Sequence, residues 1–344
     1  MRIPHARGGP LFPPGGKRMS ELLAGDVGGT RVRLAVARTG PRGLALSDRA
    51  EFDAAAQDGL DPIVASYLAE LAIRPVAAAF GVPGPIVGTV VCTTTRSWVV
   101  DRSRLETLVG APVALVNDLA ATASGVPTIE VDRLDTLQTG DEEAEGPLRT
   151  RAVVAPGTGL GEAGLVSVDG RWLALPSEGG HAEFAPRDEE ESEILAFLRS
   201  RFSHVSYERV VSGPGLANLH TFYAGRARVE AVHWPDREDA AAAVTAGAGA
   251  GDCPACVAAV DRFASVLGAE AGNLALKLMA TGGVYLAGGI LPKMVPALWR
   301  GPLLEGFRDK GRYAGLMARI PVHVVRDEDL ALRGAALEAA RLVA

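Results

Sequence analysis

With 344 residues the chain is long enough for two domains of ordinary size, each with its own core. Hydrophobic residues make up 48% and charged residues 22%, the balance of a globular protein, and a net charge of −6 argues against a nucleic-acid partner, which needs a basic face. It does not exclude an anionic substrate, because a pocket can be positive on an acidic protein. Three cysteines, Cys92, Cys253 and Cys256, are too few for a disulfide framework and point to a reducing cytoplasm. No segment reads as a signal peptide or a membrane span. The uncharged stretch 75–95 is punctuated by Pro75, Gly81, Pro83, Gly84, Pro85 and Gly88, which suits a buried strand–turn–strand.

The first 18 residues, rich in Pro, Gly and Arg and without periodicity, are expected to be disordered, and Met19 is a possible translation start. Gly16-Lys17 imitates a phosphate-binding P-loop but fails it twice, with Leu11 at the first glycine position and Arg18 where Ser or Thr belongs. Apolar runs at 22–27 and 32–37 flank Gly28-Gly29-Thr30 and predict a β-hairpin, with a third strand at 44–52. Asp61-Pro62 reads as an N-cap and first-turn proline for a helix carrying Ile63, Tyr67, Leu68 and Leu71 on one face. Strands at 76–82 and 86–91, a helix from Asp101 to Gly110, a strand at 113–116 and a helix from Asn117-Asp118 to Gly125 complete an α/β pattern with a mixed sheet.

Beyond an acidic surface loop at 140–146 the pattern restarts. Strands at 151–155, 163–168 and 171–175 are predicted, the last two joined by the hairpin dipeptide Asp169-Gly170. The Ala/Gly-rich stretch 240–251 reads as a helix end plus loop. A long helix from Cys253 to about residue 280, strands at 283–287 and 322–326 and a helix at 330–343 follow. The opening pattern thus occurs twice without a literal repeat, a structural duplication. Two such α/β domains are expected to leave an interdomain cleft, a favoured place for ligands. The boundaries read as an extension over 1–19, a small domain from 20–127 plus 325–344, and a large domain over 128–324.

Three glycine turns carry chemistry. In the first, Gly25-Asp26-Val27-Gly28-Gly29-Thr30, backbone N–H groups can approach phosphate oxygens while Asp26 holds Mg²⁺ directly or through water. In the second, Gly157-Thr158-Gly159 suits a phosphate cradle, and Glu162 in place of a third glycine excludes the dinucleotide fingerprint. In the third, Gly288-Gly289 lets the chain pass close to an adenosine. Each alone is equally an ordinary tight turn. Cys253-Pro254-Ala255-Cys256 invites a zinc or redox reading, but zinc needs four ligands and no second pair lies near in sequence. A structural thiol pair is the better reading.

Taken together, GDVGGT at 25–30, VNDLAA at 116–121, GTGLG at 157–161, LPSEGGHAEFAP at 175–186, HVSYERVVSGPGL at 204–216 and GGVYLAGGI at 282–290 resemble, in order and spacing, the bacterial ATP-dependent glucokinases of the actin-like ATPase superfamily, from about Leu22 to the C-terminus. The resemblance implies two actin-like (ribonuclease H-like) α/β domains with mixed β-sheets and an interdomain cleft whose closure excludes water. It also implies phosphorylation of D-glucose at O6 by ATP with Mg²⁺, a cytoplasmic enzyme of glycolysis, and a homodimer with neither nucleic-acid nor membrane partners. By the same resemblance Asp118 is the catalytic base, and Asn117, Glu178, His181 and Glu208 join it in holding the sugar. Asp26, Gly28, Gly29, Thr30, Gly157, Thr158, Gly159, Gly288 and Gly289 serve the nucleotide and its metal. The chemistry of these side chains agrees. A carboxylate at a helix N-terminus stays ionised and can take a hydroxyl proton. An amide both donates and accepts, and two carboxylates with an imidazole supply partners for vicinal hydroxyls. The alternative for His181, a metal ligand or a satisfied core histidine, is the weaker reading because no His/Cys cluster surrounds it. No cysteine-rich zinc motif follows it, which sets the chain apart from the repressor/kinase (ROK) branch. One departure stands out: Thr95 occupies the place of an asparagine before Trp98, which bears on sugar selectivity. Alternatives are a kinase for another hexose or amino sugar, or a non-catalytic sugar-binding regulator.

Overall fold

The computed structural model describes residues 21–40, 43–94, 96–141, 149–227, 237–294 and 296–344. The amino-terminal extension, most of the acidic loop and Thr95 lie outside the described residues. The chain divides into two compact units. One contains the described residues up to Val131 together with Leu165–Pro176 and Asp327–Ala344, and the other contains Asp132–Gly164 and Ser177–Arg326. Residues 165–176, read from the sequence as part of the larger domain, group with the first unit.

The first unit is built on a five-stranded mixed sheet. Strands β1 (Glu21–Val27), β2 (Arg31–Gly40) and β3 (Gly43–Asp53) form the expected antiparallel meander, and β4 (Ala77–Val82) and β7 (Val113–Asn117) continue it in parallel, in the order β3-β2-β1-β4-β7. Successive residues of a strand face opposite sides, and here the two sides differ in size. Leu23, Leu34, Val36 and Phe80 pack with Ile63, Val64 and Tyr67 of α1 (Leu60–Leu71) and Leu105 of α2 (Arg102–Val109). Leu22, Ala24, Ala35, Ala77 and Ala79 instead meet Leu332, Ala335, Ala336 and Ala339 of α10 (Leu330–Arg341). A small-residue face lets a helix lie close to the sheet.

Against that helix packs α3 (Asp118–Gly125), at backbone distance: a Cβ added to Gly334 of α10 would lie 1.6 Å from the Ala121 carbonyl oxygen. Helix α2 has the caps its sequence announces, Asp101 accepting from the Ser103 N–H and Gly110 turning left-handed at φ 72°. Helix α1 does not. It starts one residue before Asp61, with Gly59 as an N-cap offering no side-chain bond, because burying Leu60 extends the helix toward its amino end. The strand expected at 86–91 is short: β5 (Val90–Cys92), after Gly84 and Gly88 bend the chain at positive φ. It pairs with β6 (Val99–Asp101), which the sequence reading missed.

A second sheet repeats the plan. Strands β9 (Thr150–Pro156), β10 (Leu160–Val168) and β11 (Arg171–Ser177) lead a six-stranded sheet with β12 (Val284–Leu286) and β13 (Val322–Val325), in the order β11-β10-β9-β12-β13-β8. Apart from the edge strand β8 (Leu134–Gln138), this is the order of the first sheet, so the duplication inferred from the pattern is present in the topology. Asp169 and Gly170 both take positive φ, as a two-residue hairpin turn requires. The strand β8 escaped the sequence reading because its residues, LDTLQ, are half polar.

Helices α4 (Glu189–Arg199), α5 (Gly213–Arg226), α6 (Arg237–Ala250), α7 (Pro254–Leu278), α8 (Pro296–Arg308) and α9 (Ala314–Met317) supply the rest. The stretch read as a helix end plus loop is helix α6, whose Ala240, Val244 and Ala248 recur at helical spacing in the core. Cys253 and Cys256 are joined as a disulfide, where the sequence reading has free thiols. Among the described residues no single helix is long and apolar enough to cross a membrane.

Replacing Gly334 by Ala forces a methyl group into the Ala121 carbonyl. The expected cost is about 1–3 kcal/mol of stability, as for other overpacked sites, measured as a lower urea midpoint. An unchanged midpoint would show that the α3–α10 contact yields without cost.

Candidate active site

In the first unit the sequence-predicted residues collect at one edge of the sheet. Asp26 is the penultimate residue of β1, and the register sets Asp26 beside Gly81 of β4 and Gly81 beside Val116 of β7. Asn117 and Asp118 therefore follow at the carboxyl end of a strand two spacings away, on the order of 10 Å. The carboxyl ends of parallel strands are where open α/β sheets bind ligands.

Asn117 is the N-cap of α3: its Oδ1 accepts from the N–H groups of Leu119 (3.0 Å) and Ala120 (3.1 Å), and its Nδ2 donates to the Gly84 carbonyl at 3.4 Å. The amide expected both to donate and to accept thus has its oxygen committed to the helix. Asp118 is the first residue of α3, and its Oδ1 accepts from the Leu119 N–H at 2.9 Å. Gly81 leaves room for it, since a Cβ there would stand 3.5 Å from the Asp118 Cα and 3.1 Å from the Ala121 Cβ.

Asp26 is not a bare carboxylate. Arg33, directly across the β1–β2 ladder, donates to its Oδ2 from Nε (3.0 Å) and Nη2 (2.5 Å). That leaves Oδ1 for a cation, reached directly or through water. The Gly28 N–H closes the hairpin on the Arg31 carbonyl at 2.8 Å, and Arg96 Nε donates to the Gly29 carbonyl at 2.7 Å. Arg96 was not among the expected residues. It places a guanidinium, a phosphate-type donor, on this turn.

The second unit gathers the remaining residues. Glu178, His181 and Glu208 sit on two one-turn helices, Gly179–His181 and Tyr207–Arg209, clamped together by backbone bonds: Phe184 N–H to the Val205 carbonyl (3.0 Å) and Tyr207 N–H to the Ala182 carbonyl (3.0 Å). An edge contact between the Phe184 and Tyr207 rings, 5.7 Å between centroids, lies in the core beneath. Glu208 Oε2 lies 4.0 Å from His181 Nε2 and accepts from the Leu160 N–H at 3.1 Å, next to the Gly157-Thr158-Gly159 turn. A Cβ on Gly159 would be 2.6 Å from the same oxygen. Glu178 and His181 are exposed, whereas the Glu208 side chain is largely covered.

The Gly157 N–H donates to the Gly159 carbonyl, and the Gly213 N–H, at the start of α5, donates to the Gly157 carbonyl, both at 2.8 Å. Gly288, at φ 85°, follows β12 and lies against Pro156, so that a Cβ there would be 2.4 Å from the Pro156 carbonyl oxygen. The third glycine turn thus adjoins the second. Its neighbour Gly289 leads into the one-turn helix Leu291–Lys293.

One buried acid beneath this arrangement was not foreseen. Glu162, 1% exposed, lies under the Glu178–His181 turn, where a Cβ on Gly179 would be 2.1 Å from its Oε2. Its Oε1 has no hydrogen-bond partner among the described residues. Glu270 of α7, also fully buried, accepts from Asn273 Nδ2 at 2.9 Å and lies 3.8 Å from Lys277 Nζ. Burial first, and then the charge of Glu270, push the Glu162 carboxyl up to about 8, with Lys277 opposing. The sequence placed Glu162 after a glycine turn but held no sign of its burial.

Each sheet leads with an antiparallel hairpin, continues in parallel strands and bears a glycine turn after its first strand, the plan of the actin-like ATPase fold. A family model described as Glucokinase matches residues 23–342, and the chain belongs to that family. It is 37% identical to a glucokinase of Nostoc sp. (94% of this chain and all of the relative) and 37% identical to one of Yersinia enterocolitica (92% and 95%). The crystal structure of a glucokinase from an Antarctic psychrotroph superposes with a TM-score of 0.81 at 31% identity, covering 94% of this chain and 100% of that one.

Because the folded chain binds the Glu162 proton up to about pH 8 and the unfolded chain releases it near 4.5, stability falls as pH rises through that window. Glu162→Gln keeps the shape of the protonated acid and removes the titration. The thermal midpoint of the native chain should therefore lose ground to that of the variant between about pH 5 and about pH 8. A difference in midpoints independent of pH would show that Glu162 does not titrate in this range.

Proposed function

We propose that this protein transfers the γ-phosphoryl group of ATP to O6 of D-glucose, giving ADP and glucose 6-phosphate. The observation that carries the reading is the double engagement of Glu208. One carboxylate oxygen holds the backbone beside the Gly157–Gly159 turn and faces His181, joining residues suited to hydroxyl groups with a turn suited to phosphate. Membership of the glucokinase family supports it.

Asp118 is the base. Its carboxylate takes the proton from the O6 hydroxyl as that oxygen attacks phosphorus. Phosphoryl transfer needs little covalent help from the protein, so the remaining residues act by positioning and by meeting charge. Asn117, with its oxygen committed to the cap, donates to a sugar hydroxyl through Nδ2. Glu178 and Glu208 accept from vicinal hydroxyls, and His181 serves as donor or acceptor by tautomer. Asp26 fits Mg²⁺ from Oδ1, directly or through water, while Arg33 fixes its orientation. When bound, Mg²⁺ neutralises developing charge on the phosphate oxygens. The N–H groups of Gly28 and Gly157 close their own turns, so phosphate contact falls to the rest of each turn, Gly29 and Thr30 in one and Thr158 and Gly159 in the other. Gly288 and Gly289 border the adenosine.

Asp118→Asn should lower kcat about 10²–10⁴-fold with an unchanged circular dichroism spectrum, measured by a coupled assay with glucose and ATP. Near-normal turnover would remove Asp118 from the role. Glu178→Gln should raise the KM for glucose and leave that for ATP in place, and the reverse pattern would overturn its assignment to the sugar. A panel of hexoses and amino sugars under the same assay tests the substrate.

A further inference from the structure

The Cys-Pro-Ala-Cys segment is not absorbed by this function. As sequence it offers two ligands, too few for a metal. The fold adds a third from another helix: His220 of α5 brings its ring to the pair, and its ligating nitrogen and the two sulfurs all lie within 4.8 Å of one another. We propose that Cys253, Cys256 and His220, once the disulfide is reduced, form a site for one thiophilic divalent cation of the zinc class.

The distances suit such an ion. Bonds of about 2.3 Å to sulfur and about 2.0 Å to nitrogen in a tetrahedron set the ligand atoms roughly 3.5–3.8 Å apart, inside the 4.8 Å that bounds the three, once reduction frees the two sulfurs to separate. The two cysteine Cα atoms are 5.2 Å apart, so a chelate needs movement of side chains only. Cys253 is the N-cap of the 25-residue helix α7 and its sulfur accepts the Cys256 N–H at 3.2 Å.

Helix α6 closes another side, since a Cβ on Gly247 would stand 3.0 Å from the Cys256 sulfur. Cys256 and His220 are buried while Cys253 is half-exposed, and the three ligands leave a fourth position for water. Two Cys, one His and a water are an established zinc set. The site is gated by oxidation. A dithiol reductant delivers two electrons and two protons to the disulfide and is itself oxidised, and the cation then displaces both thiol protons.

The test is a titration of the full-length, metal-free chain with Co²⁺ after phosphine reduction, with the thiols counted before metal is added. One equivalent should bind with thiolate-to-cobalt charge-transfer absorption, and Zn²⁺ should displace it. The Cys253→Ser/Cys256→Ser chain, which keeps Cys92 as an internal control, should lose the band. His220→Asn should weaken Co²⁺ binding by about tenfold or more. Absence of the band in fully reduced native chain overturns the proposal without relying on any variant. A band that survives the double substitution, or an affinity indifferent to His220→Asn, overturns it equally.

Discussion

One carboxylate organises the second unit. Glu208 reaches the backbone beside the Gly157–Gly159 turn with the same oxygen that faces His181, and it can do so only because Gly159 has no side chain in its path. A residue larger than glycine there would displace the Glu208 carboxylate from that contact. Two glycines in the Gly179–His181 turn work in the same direction, since Cβ atoms at Gly179 and Gly180 would meet Glu162 and the Leu160 carbonyl at 2.1 and 2.0 Å. The motif is therefore as much a packing requirement as a set of sugar ligands.

The first unit solves a different problem, how to fix a single acid at the end of a strand. Its answer is a sheet with one face of alanines. Helix α10 settles on that face, α3 settles on α10 at backbone contact, and Asn117 caps α3 so that Asp118 starts the helix at a defined angle. The cap consumes the amide oxygen of Asn117. Arg33 likewise consumes one oxygen of Asp26. In both cases a side chain read for its ligand chemistry also serves the fold, and what is left for a ligand is the other half of each group.

Buried polar groups mark where the fold departs from a purely apolar core. Glu162 lies under the Glu178–His181 turn, where burial, and then the charge of the buried Glu270, push its carboxyl up to about 8. The cysteine pair and His220 meet where α5, α6 and α7 converge. Neither group is visible as a cluster in the sequence, because its members come from different helices and strands.

The sequence by itself determined the two α/β patterns, most strand and helix positions, the hairpin at Asp169-Gly170 and the identity of the motif residues, because these follow from local periodicity, caps and turn chemistry. It misplaced the start of α1 and read α6 as a helix end and loop. The burial of Leu60, and the packing of Ala240, Val244 and Ala248, are decided by neighbours far along the chain. Only the tertiary structure decided which half of Asn117 and of Asp26 remains available, that Glu162 is buried against a second acid, and that His220 stands beside the cysteines. Hydrogen-bond partners, desolvation and inter-helix contacts depend on distance in space, and spacing along a chain does not carry that.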